Sequence, residues 1–127
     1  LSVQSDLSSD DRAIIQDELM AIFTKPELSL LFGPGSKAEV PITGQLSDET
    51  YISGRVDRLW IGKDSIWIVD YKTNRPPPHK WADVPKGYQD QLRAYRDLIQ
   101  RIYPQHAVHC ALLWTYGPQF MVAPTNF

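Results

Sequence analysis

Residues 65–72, Ser-Ile-Trp-Ile-Val-Asp-Tyr-Lys, read as a β-strand that changes character before it ends. β-Branched and aromatic residues fill its first half, and the side-chain period of two sets Ile66, Ile68, Asp70 and Lys72 on one face. Two hydrophobic residues are thus followed, on the same face, by an acid and a base. An ion that emerges from an Ile-Val run is costly to bury unless it is paired or bound to a metal. On this strand alone two readings stand level. Either the strand ends at Val69 and both charges are solvated, or Asp70 has a partner.

The stretch before it shifts the balance. Residues 51–61 contain Ile52-Ser53-Gly54-Arg55-Val56-Asp57-Arg58-Leu59-Trp60-Ile61, with Asp57 mid-strand among apolar neighbours. A tight turn at Gly62-Lys63-Asp64 would pair the two strands, and positions 57 and 70 fall in the same register as 61 and 66. Asp57 and Asp70 then lie across from one another, with Cβ atoms about 5 Å apart. Two carboxylates so placed repel, and one takes up a proton unless a divalent cation lies between them. Oxygen donors select a hard ion, Mg²⁺ or Mn²⁺, over zinc. Lys72, beyond Asp70, can hold and polarise a water beside the metal. The competing readings are salt bridges, Asp57 with Arg55 or Asp70 with Arg58. For the constellation as a whole the balance falls to a metal site.

Further strands and helices follow from the same rules. A strand over about 38–46, turned at Asp48-Glu49, completes an antiparallel three-strand meander. Residues 73–87 are a polar connection holding Pro76-Pro77-Pro78, long enough to suggest function. Residues 86–102 read as a helix with Leu92, Tyr95, Leu98, Ile99 and Ile102 as its buried stripe, closed by Pro104. On that helix Tyr88, Gln91 and Tyr95 share a face, and packing or a role beside the lysine are equally good accounts of them. An apolar strand over 107–115 and a short one over 119–123 end the chain, joined at Gly117-Pro118. Upstream, 8–24 reads as an amphipathic helix with Ser8 or Ser9 as N-cap and Asp10 and Asp11 in its first turn. The expected class is α/β, a central mixed sheet flanked by helices. One domain spans 1–127, with a helical part over 1–36 and a core over 37–127.

Composition narrows the function. The 127 residues are 43% hydrophobic and 22% charged, an ordinary globular mixture. The single cysteine, Cys110, excludes a disulfide scaffold, a four-cysteine zinc site and an iron–sulfur cluster, and suits a reducing cytoplasm. No apolar run is long enough for a membrane span and no secretory leader opens the chain. Its first residue is Leu1, so it reads as a piece of something larger. Net charge is -2, unevenly spread: residues 1–57 carry ten acids and four bases, residues 58–127 nine bases and five acids. Lys72, Arg75, Lys80, Lys86, Arg93, Arg96 and Arg101 allow a phosphate-facing surface, although a solvated helix face accounts for them more simply.

Three ordered segments carry a resemblance. Gly54-Arg55-Val56-Asp57-Arg58-Leu59, Asp70-Tyr71-Lys72-Thr73-Asn74 and Tyr88-Gln89-Asp90-Gln91-Leu92-Arg93-Ala94-Tyr95 resemble the RecB-type branch of the PD-(D/E)XK nucleases. The proline-rich loop and Leu113-Trp114-Thr115 look most like the C-terminal nuclease domain of AddA-type helicase–nucleases, which process double-strand breaks. The resemblance covers about 37–123. It implies a restriction-endonuclease-like core and Mg²⁺-dependent hydrolysis of DNA, with Mn²⁺ able to substitute. It also implies metal ligation by Asp57, Asp70 and the Tyr71 carbonyl, water positioning by Lys72, and support from Gln91 and Tyr95. Implied partners are DNA, a helicase portion of the same polypeptide and a second, AddB-type subunit. The family's upstream histidine has no counterpart, since His79, His106 and His109 all follow Lys72. Glu39, or Asp17 and Glu18 on the first helix, could supply a carboxylate instead, with a solvated Glu39 the simpler reading. The isolated chain is therefore expected to bind metal weakly and to cut DNA poorly.

Other chemistries find little support. Cys110 lies in a hydrophobic strand, with His109 on the opposite face. Ser8, Ser9 and Ser36 lack a histidine–acid relay, and Gly33-x-Gly35 is no phosphate loop. Trp60 and Trp67 suit sheet packing, which leaves Trp81 as the tryptophan to stack on a base. A non-catalytic module kept for DNA or subunit binding is the rival reading, and a stand-alone nuclease of the same superfamily a third.

Overall fold

A computed structural model describes residues 35–46, 49–116 and 118–127. The expected helix over 8–24, with Asp17 and Glu18, lies outside the described residues. Five strands form one sheet in the order β1-β2-β3-β4-β5: Ser36–Gln45, Tyr51–Ile61, Ser65–Lys72, Ala107–Trp114 and Gln119–Val122. β1, β2 and β3 are the expected antiparallel meander. β3 and β4 run parallel, and β4 and β5 antiparallel, so the sheet is mixed. Parallel neighbours need a long crossover, and the helix α1, Lys86–Ile102, lies within it.

α1 begins directly after Pro85, whose fixed φ suits a helix start. Gln89 Nε2 donates to the Trp81 and Val84 carbonyls at 3.2 and 3.1 Å, tying the first turn to a 3₁₀ turn at Trp81–Asp83. At the other end the Tyr103 N–H donates to the Ile99 carbonyl, and Pro104 cannot continue the helix. Leu92, Tyr95, Leu98 and Ile99 face the sheet, where they join Ile66, Ile68, Cys110, Leu112 and Trp114 in the main core. The far face holds Val69, Ala111 and Leu113, with Trp60, Trp67, Tyr71 and Phe120 packed against them. Trp67 stacks on His109 with ring centroids 4.8 Å apart, so the sheet-packing expectation for Trp60 and Trp67 agrees with the structure. Both faces of β3 and β4 are covered, as parallel strands require.

The period of two fails at one place. Val56 and Leu59 both join the α1-side core, although an odd separation should put them on opposite faces. Between them the ladder to β1 loses one rung. Ala38 pairs with Arg58 and Val40 with Val56, but Glu39 and Asp57 do not pair, and Glu39 takes a left-handed φ of 52°. The register is the same on both sides of this dislocation, so it turns side chains without slipping the strands.

Gly54 lies under α1. A Cβ there would collide with the Tyr95 hydroxyl, so the helix reaches its close approach to β2 only over a bare backbone. Gly54→Ala is expected to cost about 1–3 kcal/mol by overpacking, read as a fall in Tm, and Gly54→Val more. A Gly54→Ala, Tyr95→Phe double variant, which removes the colliding oxygen, should recover part of that loss.

Candidate active site

The last rung of the β2–β3 ladder is Arg58 with Val69. Asp57 and Asp70 sit one step beyond it, where the turn at 62–64 placed them. Both are buried, at 3% and 4% exposure. In place of a further rung, the backbone N–H of Tyr71 donates to Asp57 Oδ2 at 2.8 Å. The Asp70 carboxyl faces the Asp57 side chain as a hydrogen-bond partner for its protonated form. Burial, that hydrogen bond and the charge of Asp70 push the Asp57 carboxyl up to about 8, against the lowering pull of the Tyr71 N–H. Near neutral pH the pair therefore holds one proton. Asp57 Oδ1 and Asp70 Oδ2 have no hydrogen-bond partner. Buried oxygens of that kind are rare, and each wants a donor or a cation.

Lys72 supplies the nearest positive charge. Its Nζ lies 2.7 Å from Asp70 Oδ2, an ion pair without hydrogen-bond alignment. α1 surrounds the ammonium from the other side. Nζ donates a long hydrogen bond to Gln91 Oε1 at 3.4 Å, and Gln91 Nε2 donates to the Tyr95 hydroxyl at 3.3 Å. The ring of Tyr88 lies 4.2 Å from Nζ in cation–π geometry, and its hydroxyl donates to Asn74 Oδ1 at 3.1 Å. The Lys72 carbonyl accepts from the Thr115 N–H and from Thr115 Oγ1, which pins the end of β3 to β4. Asp57, Asp70, Lys72, Gln91 and Tyr95 thus form one connected group. Its arrangement is two acids that share a proton, a cation in contact with one of them, an amide that holds the cation and a phenol that holds the amide.

A comparison with protein families matches the PD-(D/E)XK nuclease superfamily over residues 8–119. The chain belongs to that superfamily. No curated protein matches it. Nucleases of the PD-(D/E)XK superfamily generally use divalent metal ions, and the residues present fit one. Asp57 Oδ1 is buried without a partner, Asp70 Oδ2 is buried with only the Lys72 ammonium against it, and both are hard donors. Asp57 and Asp70 are the side chains that would hold the ion. Among the described residues no third histidine, cysteine or acid joins them.

Other residues singled out from the sequence stand apart from this PD-(D/E)XK centre. Glu39 is exposed on β1, so the solvated reading applies and no third carboxylate comes from it. The Tyr71 side chain lies on the far face of the sheet, and any part it has at the site belongs to its backbone. Trp81 requires a correction. Its ring packs edge-on against Phe127, with centroids 5.1 Å apart, and is half-buried on the core rather than offered to a base. Tyr88, which the sequence leaves open between packing and function, packs its ring 6.2 Å from Trp114 and also lies against the Lys72 ammonium. Asn74 was quoted in the motif but given no role, and a short polar side chain two residues past a strand lysine offers little to mark it. Burial pushes the Cys110 thiol up to about 12. It should resist thiol reagents at pH 8 in the native protein and react fully in denaturant, which a labelling time course reads directly.

Proposed function

We propose that the chain is a metal-dependent deoxyribonuclease domain that hydrolyses phosphodiester bonds, with Mg²⁺ as its ion and Mn²⁺ able to replace it. The observation that carries this reading is the buried Asp57–Asp70 pair, with Asp57 Oδ1 unpartnered and the Lys72 ammonium in contact with Asp70 Oδ2. A module that only binds has no use for so costly a pair. When bound, the cation lowers the pKa of a coordinated water and offsets charge at the phosphate. Asp57 and Asp70 are the side chains that would hold it, and they would release their shared proton on doing so. Lys72 orients the attacking water through its ammonium. Gln91 and the Tyr88 ring hold that ammonium from the helix side, and Tyr95 holds Gln91. The motif resemblance further supports a place in an ATP-dependent helicase–nuclease that processes double-strand ends in the cytoplasm. Its partners there are DNA, the helicase portion and an AddB-type subunit.

The test is cleavage of end-labelled DNA by the chain with Mg²⁺ or Mn²⁺, beside Asp70→Ala. Two side-chain ligands predict weak metal binding and slow cleavage that vanishes with Asp70. Metal-independent, salt-dependent DNA binding without any cutting would favour the binding module. Robust cleavage by this chain, lost in Asp70→Ala, would overturn the expectation of weak activity.

A further inference from the structure

With Lys72 already in contact with Asp70, the centre holds little free positive charge to attract a phosphodiester strand. The attraction has to come from beside it. Arg75, three residues past Lys72, is exposed, and its guanidinium carbon lies 4.9 Å from the centroid of the Tyr116 ring. Tyr116 is 48% exposed, although it directly follows the buried run that ends β4 and Thr115. Both residues are anchored to the end of β3. Thr115, the neighbour of Tyr116, donates twice to the Lys72 carbonyl. Asn74, the neighbour of Arg75, accepts from Tyr88, whose ring lies against the Lys72 ammonium. The loop continues to His79 and Lys80, both exposed, and contains no acid between Arg75 and Lys80.

We propose that Arg75 and Tyr116 form a nucleotide platform beside the carboxylate pair, which receives the strand next to the phosphodiester at Asp70 and Lys72. A guanidinium stacked on a ring keeps its N–H groups free in the ring plane, so Arg75 can meet a flanking phosphate. The open side of the Tyr116 ring stacks on a base. Stacking needs a base face free of its neighbours, so the occupant is an unpaired strand. The cation–π contact holds the two side chains in place before the strand arrives, which lowers the ordering cost of binding. This inference rests on the nuclease reading for the identity of the strand as DNA.

The experiment measures the affinity of the whole chain for fluorescein-labelled single-stranded oligothymidine by anisotropy, in EDTA so that nothing is cut, over a series of salt concentrations. Tyr116→Ala should weaken binding about tenfold, and Tyr116→Phe should stay within about twofold of the parent. Arg75→Ala should weaken binding and reduce the salt slope by about 0.7, the value for one phosphate contact on a single strand, while Arg75→Lys keeps the slope. A duplex of equal length should not distinguish Tyr116→Ala from the parent. Unchanged affinity in Tyr116→Ala, an unchanged slope in Arg75→Ala, or no binding by the parent would each overturn the platform. Both side chains are exposed, and circular dichroism checks that the variants fold. The nuclease reading fails separately: oligonucleotide binding that depends on Arg75 and Tyr116, with no Asp70-dependent cutting in Mg²⁺ or Mn²⁺, leaves the platform standing and removes the enzyme.

Discussion

Asp57→Asn is expected to yield a protein that is more stable than the parent at pH 8 and inactive as a nuclease. The Asp57 carboxyl is raised from its ordinary 3.8 to about 8, so the folded chain holds a proton that the unfolded chain has lost. Between those values unfolding releases a proton. Stability therefore falls as pH rises through about 4 to 8, and levels off above. Asparagine carries no such proton, keeps an oxygen for the Tyr71 N–H and can donate to Asp70. The contribution of this group to the stability of Asp57→Asn is then flat across the window. A stabilisation on the order of 3 kcal/mol is expected at pH 8. Urea unfolding at pH 5 and pH 8 checks it. The parent should lose stability between the two pH values, and the variant should hold its own. A parent that gains stability over that range would contradict the shared proton. Mn²⁺ at pH 8 should stabilise the parent and not the variant, because binding to the folded state alone shifts unfolding. Cleavage should fall by about a thousandfold, since the variant loses one of two side-chain ligands.

Lys72→Ala is the second large effect, and its sign runs the other way. Removal of the ammonium leaves the Asp70 carboxylate buried without a countercharge, a loss that costs about 3–5 kcal/mol when one partner of a buried pair is deleted. The contact is 16% exposed on the lysine side, so the lower end of that range is expected. A double-mutant cycle isolates the pair: in an Asp70→Asn background the same Lys72→Ala change should cost little. Equal costs in both backgrounds would mean that Lys72 stabilises through its stem and the Tyr88 ring rather than through charge. Cleavage should fall by about 10²–10³ in kcat, the usual consequence of losing one fixed charge beside the reacting phosphate. KM should move less.

Much of this was legible in the sequence for identifiable reasons. The strands over 51–61 and 65–72 and the helix over 86–102 have the same limits in the structure, because Gly62, Pro85 and Pro104 punctuate patterns of clear period. A three-residue turn leaves one register, and that register placed Asp57 and Asp70 together. The dislocated rung at Glu39 and Asp57 was not legible. It adds no residue and changes no composition, and strict alternation would have put Val56 and Leu59 on opposite faces. The exact tips that meet Lys72 were only half legible. Spacing put Tyr88, Gln91 and Tyr95 on one face of a helix, but the angle at which α1 crosses the sheet decides which of them touches the ammonium. Trp81 was misread because a tryptophan in a polar, proline-rich loop looks exposed, and its cover, Phe127, lies at the far end of the chain.

The hairpin that unites Asp57 with Asp70 also bears on the order of events in folding. Its turn closes only three residues, so the two acids are among the first distant groups to meet. α1 and the parallel strand β4, which bring Gln91, Tyr88 and Thr115 to Lys72, close a much longer stretch of chain and arrive later. Like charges therefore converge before their countercharge is fixed in place. A single proton on the pair removes that obstacle.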